Sequence, residues 1–232
     1  MLQFHKNLII ITILLGAFTL NPLPTLALGE PTSTEKVTLN SQQNFAPMND
    51  IQAFRRGIEQ MAANTTSIKA NFKQEKYLSI LSNKIDSEGV ILFKKPNLLR
   101  WEYKSPFEYI IVLNGNEIVI KDQEKVNAFD IGGSQAFKEV NNLIINSVQG
   151  NILDNEQFHI EYYESETLYL AKLTPKDDKM KQFLQGIDIH FDKKDFSVSK
   201  VKLIESAGDY TLITFADKKM NENIPDASFS IH

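Results

Sequence analysis

Cysteine is absent from all 232 residues of this chain. Without cysteine no disulfide can form, so a folded domain relies on its hydrophobic core, and no thiol is available to carry a lipid anchor. A large excess of one sign of charge is also absent, because the chain has 25 Lys and Arg and 29 Asp and Glu, for a net charge of -4. A weakly acidic chain without a long basic patch is not expected to bind nucleic acid.

Motifs for catalysis are lacking too, since the sequence contains no P-loop, no dinucleotide-binding glycine motif and no nucleophile elbow. The best metal-like group is Asp188, His190 and Asp192, which share one face of a predicted strand. Large apolar residues alternate with these three, so we interpret them as the solvated face of that strand. We therefore expect no enzyme, no catalytic residue, no metal and no cofactor.

The N-terminal residues have the pattern of an export signal. Lys6 precedes a short apolar run, which is followed by helix breakers and small residues. This order predicts a cleavable signal peptide over residues 1–29, cut after Ala27 or Gly29, because the run is short for a membrane span of roughly 20 residues. Residues 30–47 are polar and aperiodic, which predicts a flexible leader. We expect residues 48–232 to form one domain and to be monomeric.

Hydrophobic residues make up 42% of the whole chain, which is enough for a sizeable core. Apolar residues at helical spacing predict a helix near 50–64, and a second near 134–149 between two glycines. Elsewhere the apolar residues alternate, and Asn114-Gly115 between two such runs predicts a hairpin. The last residues, "ASFSIH", are predicted to be the final strand. About ten antiparallel strands are expected, which makes the fold mainly β (α+β).

Some predicted strands, such as "GVILF" and "YIIVL", are apolar on both parities and need cover on both faces. Two helices are too few to cover a flat sheet of about ten strands, and twisted sheets of that size tend to curl. We therefore predict a sheet curled around the helices as an incomplete antiparallel β-barrel.

The stretch "FKKPNLLRWEYKSP", residues 93–106, contains the only tryptophan. Arg100 and Glu102 share one parity. The opposite parity carries Lys95, Leu99, Trp101 and Tyr103. An aromatic inner face of a curled sheet can hold an apolar ligand, but the same alternation fits a packed core, and periodicity leaves both open.

From Ile51 to the C-terminus the chain resembles the LolA family of periplasmic outer-membrane lipoprotein carriers. "SIKANFKQEKY" is similar to the first family strand, and "GVILFKKPNLLRWEYKSP" matches the family spacing of glycine, two basic residues, proline, tryptophan and proline. "IIVLNGNEIVIKD" resembles the hairpin that follows. The resemblance implies an incomplete barrel with a helical lid that encloses a hydrophobic cavity for acyl chains.

The resemblance also implies roles for individual residues. Leu99 and Trp101 would line the cavity mouth, and Lys95 would replace a basic residue, usually arginine, that latches the lid by hydrogen bonds to helix carbonyls. The remaining residues expected to line the acyl cavity are Phe72, Phe93 and Tyr103. Two features depart from the family: lysine lacks the arginine fork, and "IVIKD" lacks the aromatic residues common in that strand.

The function implied is a soluble periplasmic carrier that hydrolyses nothing. Its expected partners are acylated lipoproteins, an ATP-driven inner-membrane complex that releases them, and an outer-membrane acceptor. The missing cysteine favours the shuttle over the lipid-anchored acceptor, which shares the fold. Two alternatives remain open: a carrier of another amphiphile, such as a glycolipid or pigment lipid, and an envelope sensor or scaffold that binds a protein partner.

Overall fold

A computed structural model describes residues 44–81, 83–115, 117–123, 125–130, 153, 156–205 and 208–231 of the chain. The predicted signal peptide, most of the predicted leader and the predicted helix near 134–149 lie outside these residues. Within them, no helix has the length and apolar character needed to cross a membrane.

The described secondary structure is mostly strand, with two α-helices, α1 (Ile51–Asn64) and α2 (Asp178–Lys181), and two 3-10 helices, Ser79–Leu81 and Asp226–Phe229. The strands are β1 (Ala46–Pro47), β2 (Ser67–Leu78), β3 (Asn83–Lys94), β4 (Leu98–Ser105), β5 (Tyr109–Asn114), β6 (Glu117–Asp122), β7 (Lys125–Asp130), β8 (Phe158–Glu164), β9 (Leu168–Pro175), β10 (Leu184–Asp192), β11 (Val198–Glu205) and β12 (Tyr210–Met220).

All of these strands form one 12-stranded sheet in the order β1-β8-β9-β10-β11-β12-β2-β3-β4-β5-β6-β7. Every pairing is antiparallel, and the pairing of β12 with β2 joins the C-terminal meander to the N-terminal one. Among the described strands, β1 and β7 are the two edges and do not pair with each other, so the prediction of an incomplete curled barrel is confirmed. The prediction of about ten strands agrees with the twelve observed, of which β1 has only two residues. One detail of the prediction was wrong, because Ala46 and Pro47, assigned to the flexible leader, pair with β8.

Two apolar clusters lie along the inner face of the sheet. The first is built from β2, β3, β4, β5, β6 and β12 and contains four residues of the "FKKPNLLRWEYKSP" stretch, Phe93, Leu99, Trp101 and Tyr103. The second is built from β8, β9, β10 and β11 and includes Phe54 and Ile58 of α1. Phe54 is fully buried against the rings of Tyr162, Tyr169 and Phe191, which fixes α1 on the second half of the sheet.

A third apolar cluster explains why β3, β4 and β5 are apolar on both parities. Ile224 and Phe229 of the C-terminal segment (residues 224–231) pack on the outer face of these strands, over Val112. The ammonium of Lys94 donates to the Ile224 carbonyl at 2.8 Å and holds the segment in place. The prediction that "ASFSIH" forms a strand was therefore wrong, because residues 227–231 cover a sheet face instead of pairing at an edge.

One glycine permits close packing of β3 and β4. At the register shift between Glu88 and Gly89, the position of a Cβ on Gly89 would lie 1.9 Å from the carbonyl oxygen of Glu102 and 2.8 Å from the ring of Phe72. Any side chain here would push β4 away from β3 and displace Phe72. Gly89 thus allows the aromatic residues of the first cluster to meet.

Candidate functional site

The five residues predicted to line an acyl cavity all lie on the inner face of the first cluster. They are Phe72 on β2, Phe93 on β3, and Leu99, Trp101 and Tyr103 on β4. Their exposed fractions run from 0% for Leu99 to 8% for Trp101, so all five are buried. Strand alternation in β4 places them together, because Leu99, Trp101 and Tyr103 point to one face and Arg100 and Glu102 to the other.

The aromatic members of the cluster form a continuous surface. The ring of Phe72 lies edge-on to Trp101 at 5.2 Å and to Tyr103 at 5.0 Å between centroids. Phe215 on β12 meets Trp101 at 6.4 Å and Tyr109 on β5 meets Tyr103 at 6.2 Å, both edge-on. Neither Phe215 nor Tyr109 was predicted from the sequence to lie in this surface. Edge-to-face contacts of this kind fix ring orientation and present a large apolar area.

Two tyrosines in this surface stay protonated at any physiological pH. Burial raises the pKa of the Tyr103 hydroxyl far above its ordinary value, and that hydroxyl donates to the Gln74 side-chain oxygen at 3.0 Å. Burial, with a smaller contribution from the charge of Asp122, raises the pKa of Tyr109 to about 12. Both residues therefore remain neutral donors beside the apolar surface.

The inner face becomes polar toward the turn between β2 and β3. Lys76 and Thr211 are buried cross-strand neighbours there, and Thr211 Oγ1 donates to a Glu205 carboxylate oxygen at 3.0 Å. The Lys76 ammonium lies 3.8 Å from the same carboxylate. Gln74 and Ser87 are the next buried polar pair along β2 and β3. The inner face is thus aromatic and aliphatic near Lys95 and polar at the opposite end.

Lys95 contacts the end of helix α1. Its ammonium donates to the Ala62 carbonyl oxygen at 2.6 Å and reaches the Ala63 carbonyl at 3.5 Å. Strand parity predicted that Lys95 shares a face with Leu99 and Trp101, but β3 ends at Lys94 and β4 begins at Leu98. Lys95 lies in the turn between them, where strand alternation does not apply.

All four C-terminal carbonyls of α1, which have no partner within a helix, are satisfied from outside it. Thr65 Oγ1 donates to the Met61 carbonyl at 2.7 Å. The Lys95 ammonium donates to the carbonyls of Ala62 and Ala63. Asn221 Nδ2 donates to the Asn64 carbonyl at 3.0 Å. No basic residue lies in the last turn of α1 itself. Lys95 therefore supplies the positive charge that a helix C-terminus favours.

Asn221 was not anticipated from the sequence. It has φ 61°, a left-handed conformation that asparagine tolerates better than most residues. Its side-chain oxygen accepts from both the backbone N–H and the hydroxyl of Thr66, at 2.7 Å and 3.0 Å. Asn221 thereby ties the exit of α1 to the end of β12, a contact across 155 residues of sequence that no local pattern indicates.

The N-terminal end of α1 is fixed at the part of the sheet that contains β8. Asp50 caps the helix by accepting from the Ala53 N–H at 2.8 Å. Arg55 donates to the Leu153 carbonyl at 2.9 Å and to the Tyr162 hydroxyl at 3.1 Å. The helix thus extends from β8 at its start to the β3–β4 turn at its end.

The metal-like group on β10 has a different environment from the one predicted. Asp188, His190 and Asp192 are half-buried, so the prediction of a solvated face was wrong. The ring of Phe45 packs edge-on to His190 at 5.6 Å, and burial, then the charges of nearby lysines, lowers the pKa of His190 to about 4. Burial also raises the pKa of Asp188. Among the described residues, no group of three or more His, Cys, Asp or Glu is placed to hold a metal ion.

Comparison with known sequences identifies the family of this chain. The sequence profile described as "Outer membrane lipoprotein carrier protein LolA" matches residues 63–232, which is most of the chain.

The chain belongs to the LolA family.

Individual proteins are also similar to this chain. The outer-membrane lipoprotein carrier protein of Pseudomonas putida is 23% identical over 207 residues, which cover 83% of this chain and 88% of that protein. Its counterpart in Francisella tularensis subsp. novicida is 27% identical over 166 residues, covering 72% of this chain and 77% of that protein. A crystal structure of a LolA superfamily protein from Nitrosomonas europaea superposes with a TM-score of 0.42 at 11% identity, covering 78% of this chain and 97% of that one.

Proposed function

We propose that this LolA family member carries lipoproteins by binding their acyl chains on the inner face of the first cluster. The observation that carries the proposal is the continuous aromatic surface formed by Phe72, Trp101 and Tyr103 beside the fully buried Leu99. Each methylene removed from water contributes roughly 0.8 kcal/mol, so an acyl chain strongly favours such a surface over water. Leu99, Trp101, Phe72, Phe93 and Tyr103 would make the contacts.

Helix α1 would serve as part of the lid, with Lys95 as its latch. A carrier must also release its cargo, so part of the burial energy has to be offset. The bonds from Lys95 to the Ala62 and Ala63 carbonyls favour the closed position of the helix end. Cargo that needs this end displaced would bind with its intrinsic affinity reduced by the free energy of opening.

The proposed setting is the periplasm, reached by export and cleavage of residues 1–29. Cargo would come from an ATP-driven inner-membrane complex and pass to an outer-membrane acceptor. The carrier itself needs no hydrolysis, because the difference in affinity between donor, carrier and acceptor sets the direction of transfer.

Native mass spectrometry tests this proposal. The mature chain is co-expressed with a triacylated lipoprotein and, in parallel, with the same lipoprotein lacking its acylated cysteine. We expect a complex with the acylated form only. Binding of both forms would contradict acyl-chain recognition and favour a protein-binding scaffold. A lipid adduct in place of either lipoprotein would favour a carrier of another amphiphile.

A further inference from the structure

Trp101 carries an unpaired donor inside the first cluster. Among the residues that the structure describes, two buried side-chain nitrogens have no hydrogen-bond partner, Trp101 Nε1 and His190 Nδ1. His190 lies on the opposite face from the apolar neighbours Ile189 and Phe191, in edge-on contact with the ring of Phe45. The indole nitrogen is therefore the one that belongs to the inner face.

Two neighbouring polar side chains of β4, in contrast, have hydrogen-bond partners. Tyr103, two residues along on the same face, donates to Gln74. Arg100 Nε, on the other face, donates to Glu102 at 2.8 Å. The indole N–H can only donate, and a buried donor left unpaired is costly. The rings around Trp101 are those of Phe72, Tyr103 and Phe215, and neither these side chains nor any other described group accepts a hydrogen bond from the indole nitrogen.

Trp101 also lies close to the level at which the inner face changes chemistry. On its side toward Lys95, the paired positions are Leu99 and Phe93. On the other side, one step past Tyr103, the paired positions are Gln74 and Ser87. Two side-chain repeats, about 13 Å at 3.3 Å rise per residue, separate the level of Trp101 from the first buried polar pair, so the change from apolar to polar lies within the length of one ligand. A ligand matched to both sides is an amphiphile.

We propose that the Trp101 indole N–H donates a hydrogen bond to the carbonyl of an ester- or amide-linked acyl chain. This inference rests on the proposed function and narrows its ligand class to carbonyl-bearing acyl groups over plain hydrocarbon or ether-linked chains. An acyl chain has its only carbonyl at the head, so this bond sets how deep the chain lies. The hydrocarbon then extends toward Leu99 and Phe93, and the polar head lies toward Gln74 and Ser87.

The single tryptophan makes the bond directly observable, because a 15N-labelled sample gives one indole N–H resonance. The probes are a synthetic diacylglyceryl-cysteinyl peptide with ester-linked chains and a matched peptide with the same chains ether-linked. With the ester probe we expect the indole proton to shift downfield and to exchange more slowly with water. With the ether probe, a weaker acceptor, we expect a much smaller change.

Affinities of the two probes for wild type and Trp101→Phe give an independent measure. The smaller ring loses packing with both probes, so the informative quantity is the difference between the losses. We expect the ester probe to lose about tenfold more affinity than the ether probe, as a typical hydrogen bond predicts. Equal losses, or equal indole responses in wild type, overturn the proposal while leaving acyl carriage intact. If neither probe binds wild type, the proposed function fails and this inference fails with it.

Discussion

Removal of the Lys95 ammonium should make acyl cargo bind more tightly. Lys95→Met keeps most of the aliphatic stem and deletes the donor that lies 2.6 Å from the Ala62 carbonyl. Hydrogen bonds to charged groups contribute about 1.5–3 kcal/mol, and the lower end applies because this side chain is only part-buried and water can replace it. A loss of about 1.5 kcal/mol makes opening of the helix end roughly tenfold easier, and binding that requires opening gains the same factor.

Titration of Trp101 fluorescence with a diacylated lipopeptide measures the affinity, and amide hydrogen exchange along α1 measures the opening. We expect tighter binding, slower release, and faster exchange in the last turn of α1. Lys95→Arg should behave as wild type or better, because it keeps the charge. Lys73→Met, at an exposed lysine on the outer face of β2, is the control for loss of one positive charge. Unchanged or weaker affinity in Lys95→Met would refute the latch.

Three further substitutions test the supporting structure. Gly89→Ala places a methyl group against the Glu102 carbonyl. We expect the free energy of unfolding, measured in urea, to fall by about 2 kcal/mol, as is typical of overpacking. Asn221→Gly keeps the left-handed backbone but removes the side-chain bonds to Thr66 and to the Asn64 carbonyl. We expect stability to fall by at least about 1 kcal/mol, with faster exchange at the end of α1. For His190, the folded pKa of about 4 lies below the unfolded value of 6.5. The unfolded chain therefore gains a proton first, and stability falls from pH 6.5 toward pH 4. His190→Gln should flatten this part of the wild-type curve, and superimposable curves would contradict the assignment.

Much of the sheet could be predicted because its signals are local. The period of two places Leu99, Trp101 and Tyr103 on one face whatever the rest of the chain does. Asn114-Gly115 predicted a hairpin, and the structure has Gly115 at φ 62° between β5 and β6. The helix predicted near 50–64 matches α1 for the same reason, because Phe54 and Ile58 lie one turn apart and are both buried.

The features that sequence analysis missed all depend on contacts between distant parts of the chain. The C-terminal segment covers the outer face of β4 and β5, and its anchor Lys94 lies 130 residues from Ile224. The even-numbered residues of β3 and β5 are also apolar, which indicated that this face is covered. They did not indicate which part of the chain covers it. The burial of His190 likewise depends on Phe45, from a segment with no apolar period. Lys95 was assigned to the helix carbonyls by family resemblance alone.

The most direct test of acyl carriage is quenching of Trp101 fluorescence by a chain-labelled cargo. A diacylated lipopeptide with bromine atoms on its acyl chains quenches a tryptophan only on close contact, and the chain has a single tryptophan. Binding is measured in parallel by native mass spectrometry, with the unbrominated lipopeptide as the control. We predict that saturation with the brominated probe strongly quenches the emission of Trp101. Saturable binding without quenching would place the acyl chains away from the inner face and contradict the account.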